Sequence, residues 1–255
     1  MLIYFGDDTQ NEAAGYLSGV LMYYGIDFVH VNSTLPPPAD FTKTKYSAFI
    51  LSDYRSERFS PEQLQYIKDS VEAGSGLLML GGWSSYHGQN GKYNETVLAE
   101  VLPVIMKDSD DRLNFPQSAV VYKNIESYRE NNAEHPITGG LPWHCPPCIG
   151  GCNRVMAKDD AQVLLSIRSF NIHVKYDAED NTMFLPGEKL PLLIVGQYGK
   201  GKTAALATDA APHWVGGFVD WGTERITQQV TEANEIEVGA DYAKFFKQLV
   251  EYVNV

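Results

Sequence analysis

The 255 residues include 20 basic and 32 acidic side chains, a net charge of −12 at neutral pH, with 44% hydrophobic content. That content suffices for one large core, and no shift of composition marks a linker, so a single domain over residues 1–255 is expected. The negative charge repels phosphate backbones and anionic headgroups, so neither nucleic acid nor a membrane surface is an expected partner.

The chain opens on Met1-Leu2-Ile3-Tyr4-Phe5 without a basic leader, and no run approaches the roughly 18 apolar residues of a membrane span. A cytoplasmic location is expected. The cysteines fall between Cys145 and Cys152, an arrangement unlike the spread-out framework of secreted domains, which fits reduced thiols.

Leu2 to Phe5 is a short apolar run stopped by Gly6-Asp7-Asp8. Thr9-Gln10-Asn11-Glu12 has the form of a capping box, so a helix is expected from there, with Ala13, Tyr16, Leu17, Val20, Leu21 and Tyr24 on its apolar face and Gly25 as its left-handed cap. Phe28 to Val31 is the next strand. After Pro36-Pro37-Pro38, the buried-type run Ala48 to Leu51 ends in Ser52-Asp53-Tyr54-Arg55. Ser60-Pro61-Glu62-Gln63 combines an N-cap, a proline at the first helical position and a capping-box glutamine, and Gly74 closes the helix. Leu77 to Leu80 is a fourth apolar run, ending in Gly81-Gly82-Trp83-Ser84-Ser85. This alternation of strand and helix predicts an α/β fold on a mostly parallel sheet.

From about Lys107 to Pro191 the pattern is less regular, with strands expected near Ala119 to Tyr122 and Val163 to Ile167. Leu192 to Val195 and Thr203 to Ala207 flank the turn Tyr198-Gly199-Lys200-Gly201, which predicts an antiparallel hairpin. Tyr242, Phe245, Phe246, Leu249, Val250 and Val253 share one face of a terminal helix.

In open α/β sheets ligands collect at the carboxyl ends of the parallel strands, where loops converge and helix N-termini present free N–H groups. Four such ends carry polar groups: Asp7-Asp8, Ser52-Asp53-Tyr54-Arg55, Gly81 through His87, and Asp209 through His213-Trp214. Parallel alignment brings Asp7, Asp53, Tyr54, Gly82, Trp83, Ser84, His87, Asp209, His213 and Trp214 to one cleft. Carboxylates, imidazoles and indoles together suit a small polar metabolite with an apolar face, such as a carbohydrate-like molecule. His213 and Asp53 are expected nearest its centre.

Gly81-Gly82 permits the sharp turn of a nucleophile elbow or anion nest. No cysteine occupies it, and Ser84 or Ser85 acts as a nucleophile only beside a base such as His87 or His213. His144, Cys145, Cys148 and Cys152 have the donor chemistry of zinc, but a lone C-x2-C-x3-C is a poor match to known ligand spacings. A turn-rich loop with packed thiols is expected there, with no metal and no cofactor.

The series Ile50 to Tyr54, Gly76 to Ser85, His135 to Trp143, and Tyr198 to Gly201 through Asp209 to Trp214 resembles the bacterial glutamine amidotransferase-like domain proteins over nearly the whole chain. The resemblance implies a flavodoxin-like three-layer sandwich of the class I glutamine amidotransferase type, with Leu77 to Leu80 leading to the elbow and Ser52-Asp53 near the oxyanion-hole loop. It departs from active amidotransferases in lacking the elbow cysteine and a clear late His-x-Glu pair. Without a thiolate there is no route to a glutamyl thioester, so the resemblance implies fold rather than glutaminase activity. Two other readings stand beside a metabolite-binding domain. One is a hydrolase with His87 or His213 as general base and Asp53 or Asp209 as orienter. The other is a non-catalytic subunit forming a homo-oligomer through its Trp-rich loops.

Overall fold

The computed structural model describes residues 1–124, 134–175, 181–231 and 233–254. The chain begins with β1 (Leu2–Gly6), α1 (Ala14–Tyr23), β2 (Phe28–Val31), β3 (Ala48–Ser52), α2 (Pro61–Ala73) and β4 (Gly76–Leu80). It continues through α3 (Leu98–Val101), β5 (Val104–Ile105), β6 (Arg112–Lys123), β7 (Cys148–Asn153), β8 (Met156–Ala157), β9 (Gln162–Lys175) and β10 (Asn181–Tyr198). The last part holds β11 (Gly201–Leu206), α4 (Pro212–Val215), β12 (Arg225–Gln229), β13 (Glu235–Gly239) and α5 (Ala240–Val253). No helix among the described residues is long and apolar enough to cross a membrane.

Nine strands form the central sheet in the order β2-β1-β3-β4-β11-β10-β9-β6-β7. β2, β1, β3, β4 and β11 run parallel, and every residue of β1, β3 and β4 is buried, the signature of strands covered on both faces. β10, β9, β6 and β7 extend this core antiparallel. The chain steps from β1 outward to β2, then back past β1 to β3 and β4. Right-handed crossovers therefore set α1 and α2 on opposite faces, and the loops after β1 and β3 part at a topological switch point. This is the α/β, flavodoxin-like architecture of class I amidotransferases.

Local rules explain the best-formed elements. Ser60 Oγ accepts from Gln63 N while Gln63 Oε1 accepts from Ser60 N, a complete capping box, and Gly74 ends α2 at φ 128°. α5 buries the six apolar residues expected of it. α1 starts later than expected. The Thr9–Glu12 pairing exists, with Thr9 Oγ1 2.7 Å from Glu12 Oε2, but it closes a separate turn, and Ala14 N donates to the Asp7 carbonyl at 2.7 Å to begin the helix.

The middle of the chain holds more strand than its sequence suggests. The expected strands at 119–122 and 163–167 are the inner parts of β6 and β9, while residues 125–133 and 176–180 lie outside the described residues. Only the first part of the cysteine segment is a loop: Cys145 lies in a turn, while Cys148 to Asn153 is the edge strand β7, held by pairing with β6. β12 and β13 form a hairpin packed on α1, also absent from the sequence reading.

Candidate functional site

The carboxyl ends of β1, β3, β4 and β11 open on one cavity of about 650 Å³. Asp7, Asp53, Trp83, Ser84, Asp209, His213 and Trp214 line it, together with Asp8, Ser33, Arg55, Arg58 and Asn114. The parallel registers of these strands put the polar residue after each apolar run at the same sheet edge.

Asp7, Asp8 and Asp53 all stand in the left-handed region, at φ 54°, 58° and 45°. Such strain in short polar side chains recurs at functional sites, where the surrounding bonds hold the backbone in place. Here Asp7 N donates to the Ser52 carbonyl at 2.9 Å, Asp8 N to Ser33 Oγ at 2.8 Å, and Asp53 N to Ser85 Oγ at 3.0 Å.

Asp7, Asp53 and Asp209 form the acidic floor. Burial pushes the Asp7 carboxyl up to about 6, against the stabilising hydrogen bond it accepts from the Tyr4 hydroxyl. Burial and then the Asp7 charge raise Asp53 to about 7, partly offset by the N–H groups of Ser84 and Trp83. Burial, then repulsion from Asp7 and Asp53, raises Asp209 well above the carboxylate range, although Asp209 Oδ1 accepts from Val215 N at 3.0 Å. Asp7 and Asp53 repel each other, and each raises Asp209, which holds its proton more tightly than either.

The turn after β4 carries no cysteine and is closely filled. A Cβ placed on Gly82 would lie 2.4 Å from Asp53 Oδ1 and 2.5 Å from Asp53 Cγ. The Asp53 carboxylate therefore fills the space that a side chain at position 82 would enter, and it accepts the hydrogen bond of Ser84 N. The Ser84 amide thus already serves an internal anion. Beneath the turn, Asn153 Oδ1 accepts from Gly82 N at 2.9 Å and Asn153 Nδ2 donates to Asp111 Oδ1 at 2.6 Å. Asn153 and Asp111 had no sequence signal, since they lie 71 and 29 residues beyond the elbow and pair with it only in the fold.

The indoles differ from each other. Trp83 is 53% exposed, with the Arg112 guanidinium 4.4 Å from its ring centroid. Trp214 is buried, its Nε1 donating to Asn114 Oδ1 at 2.9 Å. Trp221 is also buried, so of these three indoles Trp83 alone is exposed.

Of the other expected site residues, His87, Tyr54 and Gly82 are not among the side chains lining the cavity. His87 is outside the cavity: its N donates to Asp111 Oδ2 at 3.2 Å and its Nδ1 lies 3.0 Å from the Gly88 carbonyl. Tyr54 is buried, its hydroxyl donating to the Leu35 carbonyl at 2.6 Å. Gly82 shapes the wall through its missing side chain. His213 lines the cavity from an exposed position. Among the described residues no three His, Cys, Asp or Glu side chains converge as metal ligands, and Cys152 is buried, its thiol pushed up to about 12 by burial.

A flavodoxin-like sheet with a tight turn after β4 and an adjoining strand-end cleft defines a class I glutamine amidotransferase-like protein, here with no cysteine at that turn. The chain belongs to the family described as "Putative glutamine amidotransferase", whose profile matches residues 44–230. No curated protein matches it significantly. Among solved structures it is similar to a cytoplasmic protein from Salmonella typhimurium, at 25% identity and a TM-score of 0.73 over 99% of this chain and 98% of that one. It is also similar to a cytoplasmic protein from Salmonella typhimurium LT2, at 27% identity and a TM-score of 0.71 over the same shares. A ThuA-like protein from Bacteroides uniformis shares the fold alone, at 15% identity and a TM-score of 0.52 over 99% of this chain and 89% of that one.

Proposed function

We propose that this chain binds a small polyhydroxylated, carbohydrate-like metabolite in the strand-end cleft and does not hydrolyse glutamine. The observation that carries the reading is the pairing of a three-carboxylate floor, Asp7, Asp53 and Asp209, with indole walls, Trp83 and Trp214, in one cavity. Carboxylates accept directional hydrogen bonds from vicinal hydroxyls, while an indole covers the apolar face of a sugar ring. Partial protonation of the floor lets it donate as well as accept at neutral pH. The lack of a cysteine at the turn after β4 and the occupied space over Gly82 support the absence of glutaminase activity. A cytoplasmic role is in keeping with the similarity to two Salmonella proteins described as cytoplasmic.

The test is a thermal-shift and calorimetric screen of neutral, acidic and amino sugars against the intact chain and an Asp53→Asn/Asp209→Asn variant. A sugar that binds the wild type and is weakened at least tenfold in the variant supports the reading. No binding of any polyol at 10 mM, or equal binding by the variant, refutes it. Incubation with glutamine releases no ammonia, and sustained release would overturn the second half of the proposal.

A further inference from the structure

The cavity that holds the carboxylate floor also carries two guanidiniums, Arg55 and Arg58. Both lie on the loop that leaves β3, a few residues beyond Asp53, so one loop supplies charge of both signs. Burial separates the signs by depth. Asp7 and Asp209 are 3% and 6% exposed, Asp53 and Arg58 are partly buried, and Arg55 is exposed. Asp8 is the exception, an exposed carboxylate among the lining residues. Burial raises all three floor carboxyls, so near neutral pH the floor carries less than its formal negative charge.

The two arginines differ in what already binds them. Arg55 Nη1 stands 3.2 Å from Glu57 Oε1, but both side chains are exposed, and pairs of that kind hold weakly. Arg58 has no ion pair among the described residues, although Arg112, Arg154 and Arg225 each pair with a carboxylate and the chain has a net charge of −12. Its one hydrogen bond runs from Nη1 to the Thr34 carbonyl at 2.9 Å, and its Nε is buried without an acceptor. A guanidinium offers five N–H donors, so Arg58 faces the cavity with most of its capacity unused. The Thr34 bond also fixes its place. The neighbouring Ser33 Oγ accepts from Asp8 N at 2.8 Å and donates to the Asp53 carbonyl at 3.1 Å, so the loop after β2 braces the cation and the floor together. A group held in position before binding loses little freedom when its partner arrives.

We infer that the ligand is an acidic sugar, a polyol whose hydroxyls meet the floor while its anionic substituent, carboxylate or phosphate, is bound by Arg58, with Arg55 adding a second positive charge toward the mouth. The planar fork of a guanidinium matches the oxygens of either anion, and such charge-assisted bonds are stronger than neutral ones. A neutral sugar would leave Arg58 without a counter-charge. The inference rests on the carbohydrate reading above and names the class of ligand within it.

Calorimetric titration tests it, with D-glucose, D-glucuronate, glucose 6-phosphate and D-glucosamine on the intact chain, Arg58→Gln and Arg58→Lys. The expected result is that an acidic sugar binds the wild type at least about tenfold more tightly than glucose. Which of the two does so tells carboxylate from phosphate. That advantage over glucose should vanish in Arg58→Gln and persist in part in Arg58→Lys, which keeps the charge but loses the fork. Glucose binding with no acidic preference overturns this inference and leaves the carbohydrate reading standing, whereas absence of any sugar binding overturns both. Tightest binding of glucosamine, or an acidic preference that survives in Arg58→Gln, also overturns the inference. Should Arg58→Gln misfold by circular dichroism, the wild type in about 50 and about 500 mM NaCl decides. An acidic sugar weakened by salt more than glucose supports the inference, and an equal response of the two refutes it.

Discussion

Replacing Gly82 by Ala adds a single methyl group at the most crowded point of the elbow. Its Cβ would stand 2.4 Å from Asp53 Oδ1, 2.5 Å from Cγ and 2.8 Å from Oδ2. Ordinary contact begins near 3.5 Å, so the carboxylate must retreat by about 1 Å. It cannot retreat freely, because Ser84 N donates to it and its own backbone is fixed at φ 45°. Overpacking of this kind costs about 1–3 kcal/mol, and weakening a hydrogen bond to a buried polar group costs about 1–3 kcal/mol more. A combined loss of about 3 kcal/mol corresponds to a fall of about 6–12 °C in Tm for a chain of this size. Scanning calorimetry measures it directly. The mechanism is separated from simple backbone strain by a double-mutant cycle with Asp53→Ala. Any cost set by the Gly82 φ of 156° persists in that background, whereas the contact with the carboxylate vanishes. The expected coupling is about 1.5–2 kcal/mol. An unchanged Tm for Gly82→Ala, or an equal loss with and without the Asp53 carboxylate, would refute the claim that Asp53 occupies the elbow.

Stability is expected to fall as pH rises from 5 to 8. Asp7 and Asp53 are held near 6 and 7, above the unfolded carboxylate value, so the folded chain binds more protons in this window and their contribution, full below about 4, is lost as pH climbs through 7. Asp53→Asn should shrink the difference in Tm between pH 5 and pH 8, and an unaltered difference would contradict the assignment. Asp7→Asn removes a neighbouring negative charge, so a carboxyl-detected NMR titration should show the Asp53 midpoint moving down from about 7, and no movement would show that the two are uncoupled. Trp83→Ala should weaken any sugar found by the screen about tenfold, the value of one aromatic contact, with no change in Tm because the ring is exposed; calorimetric titration checks this. Cys145→Ser and Cys148→Ser should leave Tm within about 1 °C, while Cys152→Ser, which sets a hydroxyl in the core of β7, should destabilise by about 1–3 kcal/mol in urea denaturation.

The sequence alone determined those elements whose signal is local. α2 was legible because its cap, first-turn proline and closing glycine lie within its own fifteen residues. The parallel strands were legible because strands buried on both faces read as unbroken apolar runs, and α5 because its buried face recurs at helical spacing. The resemblance carried by the Ile50 to Tyr54, Gly76 to Ser85 and Asp209 to Trp214 segments fixed the family in the same way. β7 was hidden because its paired glycines and flanking prolines give no alternation of their own, and only the ladder to β6 makes it a strand. The site depended on tertiary structure more deeply. Sequence placed Asp7, Asp53, Asp209 and the indoles after apolar runs, but which of them share a cavity was decided by strand order and by the direction in which each loop leaves its strand. His87 left the group because the buried Asp111 carboxylate, 24 residues further on, captured its loop. The closure of the elbow was decided there as well, since a glycine without a side chain and an aspartate 29 residues before it contend for the same space only once β3 and β4 lie side by side.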